Sequence, residues 1–392
     1  MTETSVDMHL PQVSDFVLSP ELQSFREMAR EFSQRELAPQ AAAMDAETRF
    51  PREAVAKAAS LGLLKVTVPR AYGGTEMGNL ASCLMLEELN AACASTGVTV
   101  SVHNSLVCSP LAKWGTEDQK RRYFPKLIDG SWLGAYCLSE AGSGSDAAGL
   151  VCEAKATSDG YVLNGAKLWI TTGSESDLFI VFARTAADRV KGITAFLVER
   201  TWPGVGVGKK ERKLGIRGSP TVEILLENVA VPAANRLGDE GRGFTIALDT
   251  LDGGRLGIAS QALGIARAAH DSIRDHLAAQ LDHKGRSTAS QAAQWKLADI
   301  ASDLDAYRFL TWRAAILRDR GIHCGKEAAM AKLTASRLAN RAAREAFAII
   351  GAEAAAGTHR VERLLRDARI TEIYEGATDI QRLVVARGVL GG

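Results

Sequence analysis

The sequence predicts an α+β multidomain protein with an N-terminal helical domain, a middle β-sandwich or barrel domain and a C-terminal four-helix bundle. Three observations carry this expectation. Apolar residues recur at helical spacing at both ends of the chain. Between them lie short β-branched and aromatic runs punctuated by Gly, Asp, Ser and Pro. The 392 residues are 46% hydrophobic, with 47 Lys+Arg against 46 Asp+Glu. That is an ordinary composition for a soluble enzyme long enough to bury a large core without covalent staples.

Residues 1–128 form the first predicted domain. Ser19-Pro20-Glu21 reads as a helix start, with a capping hydroxyl and Pro in the first turn. Leu22, Phe25, Ala29 and Phe32 then follow at spacings of three and four. Gly73-Gly74 marks a turn, Leu80–Leu89 a second apolar helix, and Thr116 with Gln119 a capping box. Residues 129–237 form the β domain. Its strand signals are Trp132–Leu138, Tyr161–Leu163, Leu168–Thr171, Leu178–Phe182, Ile193–Val198 and Val222–Leu226. Residues 238–392 return to helical periodicity near 243–282, 288–320, 325–350 and 375–389, enough for a bundle.

Composition also excludes several functions. A net charge of +1 excludes a strongly basic nucleic-acid binder and a polyanionic tail protein, and leaves room for a local basic patch facing a phosphate-bearing ligand. No apolar run reaches the ~18 residues of a membrane span. The six cysteines contain no C-x-x-C pair and read as free, buried thiols of a reducing compartment. The scattered histidines give no metal-binding spacing. The N-terminal residues have neither a secretory pattern nor the Arg-rich character of a transit peptide. The expectation is a cytoplasmic protein.

Four segments carry chemistry. Cys137–Asp146 follows a strand and packs two glycines and three serines into ten residues. Such a loop lets backbone donors approach a planar or phosphate-bearing ligand; it also suits a plain polar turn. Leu168–Gly173 sets an indole beside hydroxyls at a strand end, where Trp169 either covers a flat cofactor or fills a core. Leu251–Arg255 puts two adjacent glycines inside a helical region, at roughly 1 kcal/mol each relative to Ala. A close ligand or a neighbouring helix explains them, and Arg255 adds a cation or a structural ion pair. In Tyr374–Asp379, Gly376 interrupts the pattern just after Glu375, a carboxylate placed either to cap or to act as a base.

Taken together and in this order, these segments resemble the acyl-CoA dehydrogenase family of flavoenzymes. The resemblance runs from about residue 18 to 390. It is most specific at Cys137–Ser145, Trp169–Thr171, Lys213–Pro220, Leu251–Ala266 and Ile373–Gly376, and Ser101–Leu106 fits the branch acting on short acyl chains. The resemblance implies FAD, an acyl-CoA substrate and an electron-transfer flavoprotein as acceptor. It implies that Tyr136, Cys137, Leu138, Ser139, Gly142, Gly144 and Ser145 line the flavin, with Ser145 also near the CoA portion. Trp169, Ile170 and Thr171 would flank the flavin ring. Gln291, Thr378 and Asp379 would complete the cofactor contacts. Asp252, Gly253, Gly254, Arg255 and Gly376 would touch the acyl-CoA. Glu375 would remove the α-proton while the β-hydrogen leaves as hydride to FAD N5, giving a trans-2-enoyl-CoA.

The sequence departs from the family where relatives in a tetramer hold a neighbour's FAD diphosphate and adenine. The positions expected as Arg and Phe are Gln280 and His283. The Gln-x-x-Gly-Gly positions read Ala348-Ile-Ile-Gly-Ala352, followed by Glu353–Gly357, and Ala377 replaces a Thr. Only Gln291 and Gly351 keep the expected types. A lost charged hydrogen bond is worth roughly 1.5–3 kcal/mol, so FAD binding would weaken by about two orders of magnitude or more. The resemblance therefore implies a homotetramer with a rearranged adenine site or a mixed two-plus-two tetramer with a homologous subunit. A flavin-free relative with redox-neutral or acyl-CoA-binding function is the third reading, weakened by the survival of Trp169, Thr171 and Glu375.

Overall fold

A computed structural model describes residues 18–391 apart from 281, 283 and 285–287. His283 thus lies outside the described residues. The order of helices, sheet and helices is as expected. Ser19 caps the helix Pro20–Phe32, its hydroxyl accepting the Leu22 N–H at 3.3 Å. Thr116 and Gln119 cap the helix Glu117–Ile128 reciprocally, at 3.2 and 3.0 Å. The helix Gly78–Ala92 is buried over most of its length. The helix Ala94–Val102 widens into a π-helical turn, His103–Cys108. There the Asn104 amide donates to Leu63 O at 2.8 Å and Val100 O at 3.0 Å, and accepts from Val66 N–H at 3.1 Å.

Eight strands form one hydrogen-bonded sheet: β1 Gly134–Cys137, β2 Glu153–Ala156, β3 Gly160–Thr171, β4 Leu178–Arg184, β5 Ile193–Glu199, β6 Val205–Lys210, β7 Thr221–Pro232 and β8 Arg236–Leu237. Their order is β6-β7-β3-β2-β4-β5-β8, with β1 parallel to β4. The β2 and β4 strands meet through a single pair, Glu153 and Arg184. The sheet therefore works as two halves folded over one apolar core, to which Leu163 and Ile224 come from one half and Phe179 and Phe196 from the other. The strand signals at Tyr161–Leu163 and Leu168–Thr171 belong to the single strand β3, which bends at two register shifts. Gly165 sits at the first shift, where a side chain would meet Cys152. The short strands β2, β6 and β8 escape the sequence reading because their residues are polar, small or few.

The bundle helices are Gly243–Ala278, Gln291–Asp319, Gly325–Ile350 and Thr378–Leu390. The helices Ala352–Ala355 and Val361–Ala368 were not anticipated. Alanines line the contact between Gly243–Ala278 and Gly325–Ile350, among them Ala262, Ala266, Ala335 and Ala339, and small side chains let the two backbones approach closely.

Apolar clusters also tie the zones together. Val107, Leu111 and Phe124 of the N-terminal zone pack with Ile180 and Phe182 of β4 and Ile246 of the bundle. In the helix Gly78–Ala92, Glu87 and Glu88 are buried among arginines from three helices. Glu87 takes two hydrogen bonds from Arg308 at 2.8 and 3.1 Å, and Glu88 takes bonds from Arg26 at 2.8 Å and Arg267 at 2.6 Å.

Candidate active site

The serine-glycine loop after β1 is built rather than loose. Glu140 and Ser143 exchange backbone hydrogen bonds at 2.9 and 3.1 Å, and the Ser143 hydroxyl donates to Asp146 O at 2.7 Å. Cys137 and Leu138 point into the core, while Gly142, Gly144 and Ser145 are exposed and Ser139 is half-buried. A side chain added at Gly142 or Gly144 would meet nothing within 4 Å. The loop thus presents open backbone.

Lys167 anchors this loop from β3. Its ammonium is fully buried and donates to Glu140 Oε1 at 2.6 Å and Leu138 O at 3.2 Å. The Glu140 carboxylate also accepts the Val151 and Cys152 N–H groups at 2.7 and 3.0 Å. Leu168 N–H reaches Ser139 O at 2.9 Å. A buried charge pair is tolerated only when its remaining hydrogen-bonding capacity is met, and here it is. Sequence reasoning missed both partners. The available signal was a Lys in a strand that is otherwise half apolar.

Trp169 follows immediately, at the second bulge of β3. Its φ is +57°, a left-handed value that bulky residues rarely adopt. The twist turns the indole outward: Trp169 is 54% exposed, whereas Ile170 is buried and Thr171 half-buried. The indole of Trp169 therefore does not fill the core. Thr172, also left-handed at +63°, has a buried hydroxyl with no partner among the described residues.

Glu375 enters from the junction before the last helix. Its φ is +50° and that of Gly376 is +100°. The turn brings Glu375 Oε2 against Gly254, where the helix surface has no side chain. This accounts for one of the two helical glycines; the other, Gly253, lies under the Arg318 guanidinium. Glu375 Oε2 is buried and has no hydrogen-bond partner among the described residues. Burial pushes the carboxyl up to about 7, against the opposing pull of Lys332 and Arg255. Burial, then the Glu375 charge, pushes the hydroxyls of Tyr136 and Tyr374 well above their usual range. Strand β1, the bundle and the Glu375 turn therefore share one space.

Arg255 makes the structural ion pair left open by the sequence, with Asp252 at 2.5 Å, yet its Nε is buried without a partner. Two further side chains hold the turn. Lys332 and Gln381 donate to Gly376 O at 2.6 and 2.9 Å, and both are fully buried. Neither was singled out in the sequence. Lys332 was detectable as a charge interrupting the apolar stripe Ala328, Ala335, Ala339 and Ala342.

The remaining expected residues make the following contacts within the chain. Thr378 begins the helix Thr378–Leu390 and donates to Glu372 O at 3.2 Å. Asp379 is exposed and pairs with Arg382 at 2.5 Å. Gln291 is exposed at the start of its helix. Gln280 hydrogen-bonds His276 at 3.0 Å, and Glu353 is exposed in the first turn of Ala352–Ala355.

The residue set suits a flat cofactor beside an acyl group. It offers an outward indole, open backbone at two glycines, an unpaired buried carboxylate oxygen and an unpaired guanidinium nitrogen. Among the described residues, no group of His, Cys, Asp and Glu could hold a metal ion, and no helix is long and apolar enough to cross a membrane.

Three family models match the chain: the acyl-CoA dehydrogenase N-terminal domain over residues 19–131, the middle domain over 135–229 and the C-terminal domain over 241–390. An acyl-CoA dehydrogenase of Bacillus subtilis is 45% identical over 94% of this chain and 97% of its own. The human short-chain specific acyl-CoA dehydrogenase is 46% identical over 94% of this chain and 90% of its own. Among solved structures, butyryl-CoA dehydrogenase from Megasphaera elsdenii superposes with a TM-score of 0.92 at 38% identity, covering 95% of this chain and 99% of its own. A glutaryl-CoA dehydrogenase bound to glutaryl-CoA gives a TM-score of 0.92 at 31% identity, covering 95% of this chain and 96% of its own. With all three domains matched in order along nearly the whole chain, the protein belongs to the acyl-CoA dehydrogenase family.

Proposed function

We propose that the protein is a short-chain-type acyl-CoA dehydrogenase that converts a saturated acyl-CoA thioester to a trans-2-enoyl-CoA, with Glu375 as the base. The observation that carries the assignment is the Glu375 carboxylate, enclosed, unpaired at Oε2 and raised to about 7. A base near neutrality is matched to removing a weakly acidic α-proton. The Glu375 N–H makes no hydrogen bond among the described residues. It is free to donate to a thioester oxygen as negative charge develops there. In this reading Gly254, Arg255 and Gly376 line the acyl side of the same space, with Asp252 paired to Arg255 and Gly253 packed under Arg318, and Ser145 sits on the exposed loop where a CoA chain would leave.

In this reading Tyr136–Ser145 and Trp169–Thr171 hold FAD, with Thr378 and Asp379 at its margin. A bound FAD supplies acceptance of the β-hydrogen as hydride. The chain's own residues orient the thioester, exclude water and take the proton onto Glu375. An electron-transfer flavoprotein is the proposed acceptor. Free cysteines support a cytoplasmic location, since reducing compartments keep thiols unpaired.

The proposal includes a tetramer. Trp295, Leu383 and Val389 are exposed apolar side chains on bundle helices, suited to cover by further copies. Gln280, Ala348, Ala352 and Glu353 give this bundle end few donors for a neighbour's diphosphate, so a mixed tetramer stands beside a homotetramer. Gln291 is assigned to that inter-subunit contact. The outward Trp169 and the enclosed Glu375 argue against a flavin-free role.

The test is Glu375→Gln in purified protein. Reduction of an artificial electron acceptor should fall to background while acyl-CoA still binds; unchanged turnover would remove Glu375 from the mechanism.

A further inference from the structure

Lys332 sits in the helix Gly325–Ile350 with no exposed surface. A buried ammonium is costly without compensation. No carboxylate lies within 4 Å of it among the described residues, and its hydrogen bond, at 2.6 Å, goes to the backbone carbonyl of Gly376. Gln381 donates to the same carbonyl at 2.9 Å. Both lone pairs of that oxygen are therefore committed. The carbonyl belongs to the turn in which Glu375 and Gly376 hold φ of +50° and +100°. A left-handed Glu persists only where its surroundings over-determine it.

The charged and titratable groups around Glu375 come from every packed element. Arg255 comes from the helix Gly243–Ala278 with Asp252 as its ion-pair partner, Lys332 from Gly325–Ile350, Tyr136 from β1 and Tyr374 from its own segment, while Glu372 of that segment acts on Lys332. Arg255 is in contact with Asp252 at 2.5 Å, so its charge is shared. Among the described residues Lys332 has no carboxylate in contact; the Glu375 charge, and less strongly that of Glu372, acts on it from farther away.

We infer that Lys332 is a positioning residue for Glu375: it pins the turn through the Gly376 carbonyl and sets a buried positive charge beside the carboxylate. The inference rests on the reading of Glu375 as the base. Burial lowers Lys332 to about 8 and raises Glu375 to about 7, and each charge draws the other back.

Two variants separate the two roles. Lys332→Gln keeps a donor for the carbonyl but no charge; Lys332→Met keeps neither. The readout is kcat/KM for butyryl-CoA against pH, in purified flavin-loaded enzyme with an artificial acceptor. A base must be deprotonated, so activity rises with pH through the Glu375 value. Loss of the neighbouring cation raises that value. In Lys332→Gln the rising limb should move upward by about one pH unit, with the plateau above it within about threefold of the parent. In Lys332→Met the same shift should come with a plateau about tenfold or more lower, because the turn is also released. Lys332→Arg, which restores the charge, should bring the limb back. A merely structural lysine would lower the plateau and leave the limb in place, and that result overturns the inference. If Lys332→Met does not fold, Lys332→Gln decides. A fully active Glu375→Gln enzyme would instead overturn the underlying reading; an inactive one with unshifted Lys332 limbs overturns only the role of Lys332.

Discussion

The Glu375 carboxylate fills the space that a side chain at Gly254 would occupy. A methyl group there would collide with Oε2 and lie 2.9 Å from Leu106 Cδ2. Gly254→Ala should therefore displace the base. Activity should fall by about a hundredfold, the penalty expected when a reacting group moves by an ångström. Stability should change little, because a helical Gly→Ala gain of about 1 kcal/mol offsets part of an overpacking cost of about 1–3 kcal/mol. Steady-state kinetics beside thermal melts would show the split.

The raised Glu375 carboxyl gives a second expectation, for stability. Its folded value of about 7 exceeds the usual 4.5. The fold thus favours the neutral acid. That contribution is complete below pH 4.5 and is lost as pH rises through 7, up to roughly 3 kcal/mol as an upper bound. Glu375→Gln mimics the neutral form. Its melting temperature should match the parent near pH 5 and exceed it at pH 8.

Glu87 has the opposite sign. Burial alone would raise it, but Arg308, then Arg267 and Arg26, outweigh burial and hold it at about 2. Its contribution is present above pH 4.5 and disappears as pH falls toward 2, again up to roughly 3 kcal/mol. Arg308→Met should remove this buffer and cost about 3–5 kcal/mol at pH 7, by leaving a buried charge under-compensated. Urea unfolding at pH 7 and pH 3 would show the parent and variant converging in acid.

Trp169 tests the cofactor surface. An aromatic contact is worth about 0.5–1.5 kcal/mol beyond burial. Trp169→Ala should weaken FAD binding to the apoprotein by about three- to tenfold, followed by flavin fluorescence. An exposed substitution of this kind changes stability by about 0.5 kcal/mol or less. Undiminished affinity would mean that the indole does not cover the flavin.

Much of this was legible in the sequence because local signals agreed with the tertiary result. Ser19 and Thr116 cap the helices they were expected to cap, and the Gly253-Gly254 pair does mark a close approach within a helix. Gly376 marked a break after Glu375, but the residues alone left that carboxylate as cap or base, and the family resemblance chose between them. What escaped depends on non-local pairing. Lys167 and Glu140 are 27 positions apart, Lys332 and Gly376 44. Nothing in either neighbourhood announces its partner. The left-handed Trp169 was equally hidden, since a bulge arises from register with β7 and not from the strand's own residues.

The π-helical turn at His103–Cys108 sets where Leu106 stands relative to Gly254 and Glu375. A π turn is an α-helix carrying one surplus residue, and each residue advances a helix by about 100°. Deleting one residue there would restore ordinary helical winding and swing Leu106 away from the carboxylate. The wall beside the base is therefore under the control of an insertion count. In a lineage of such proteins, gain or loss of a single codon on that helix would redraw the pocket while every residue facing the substrate kept its identity.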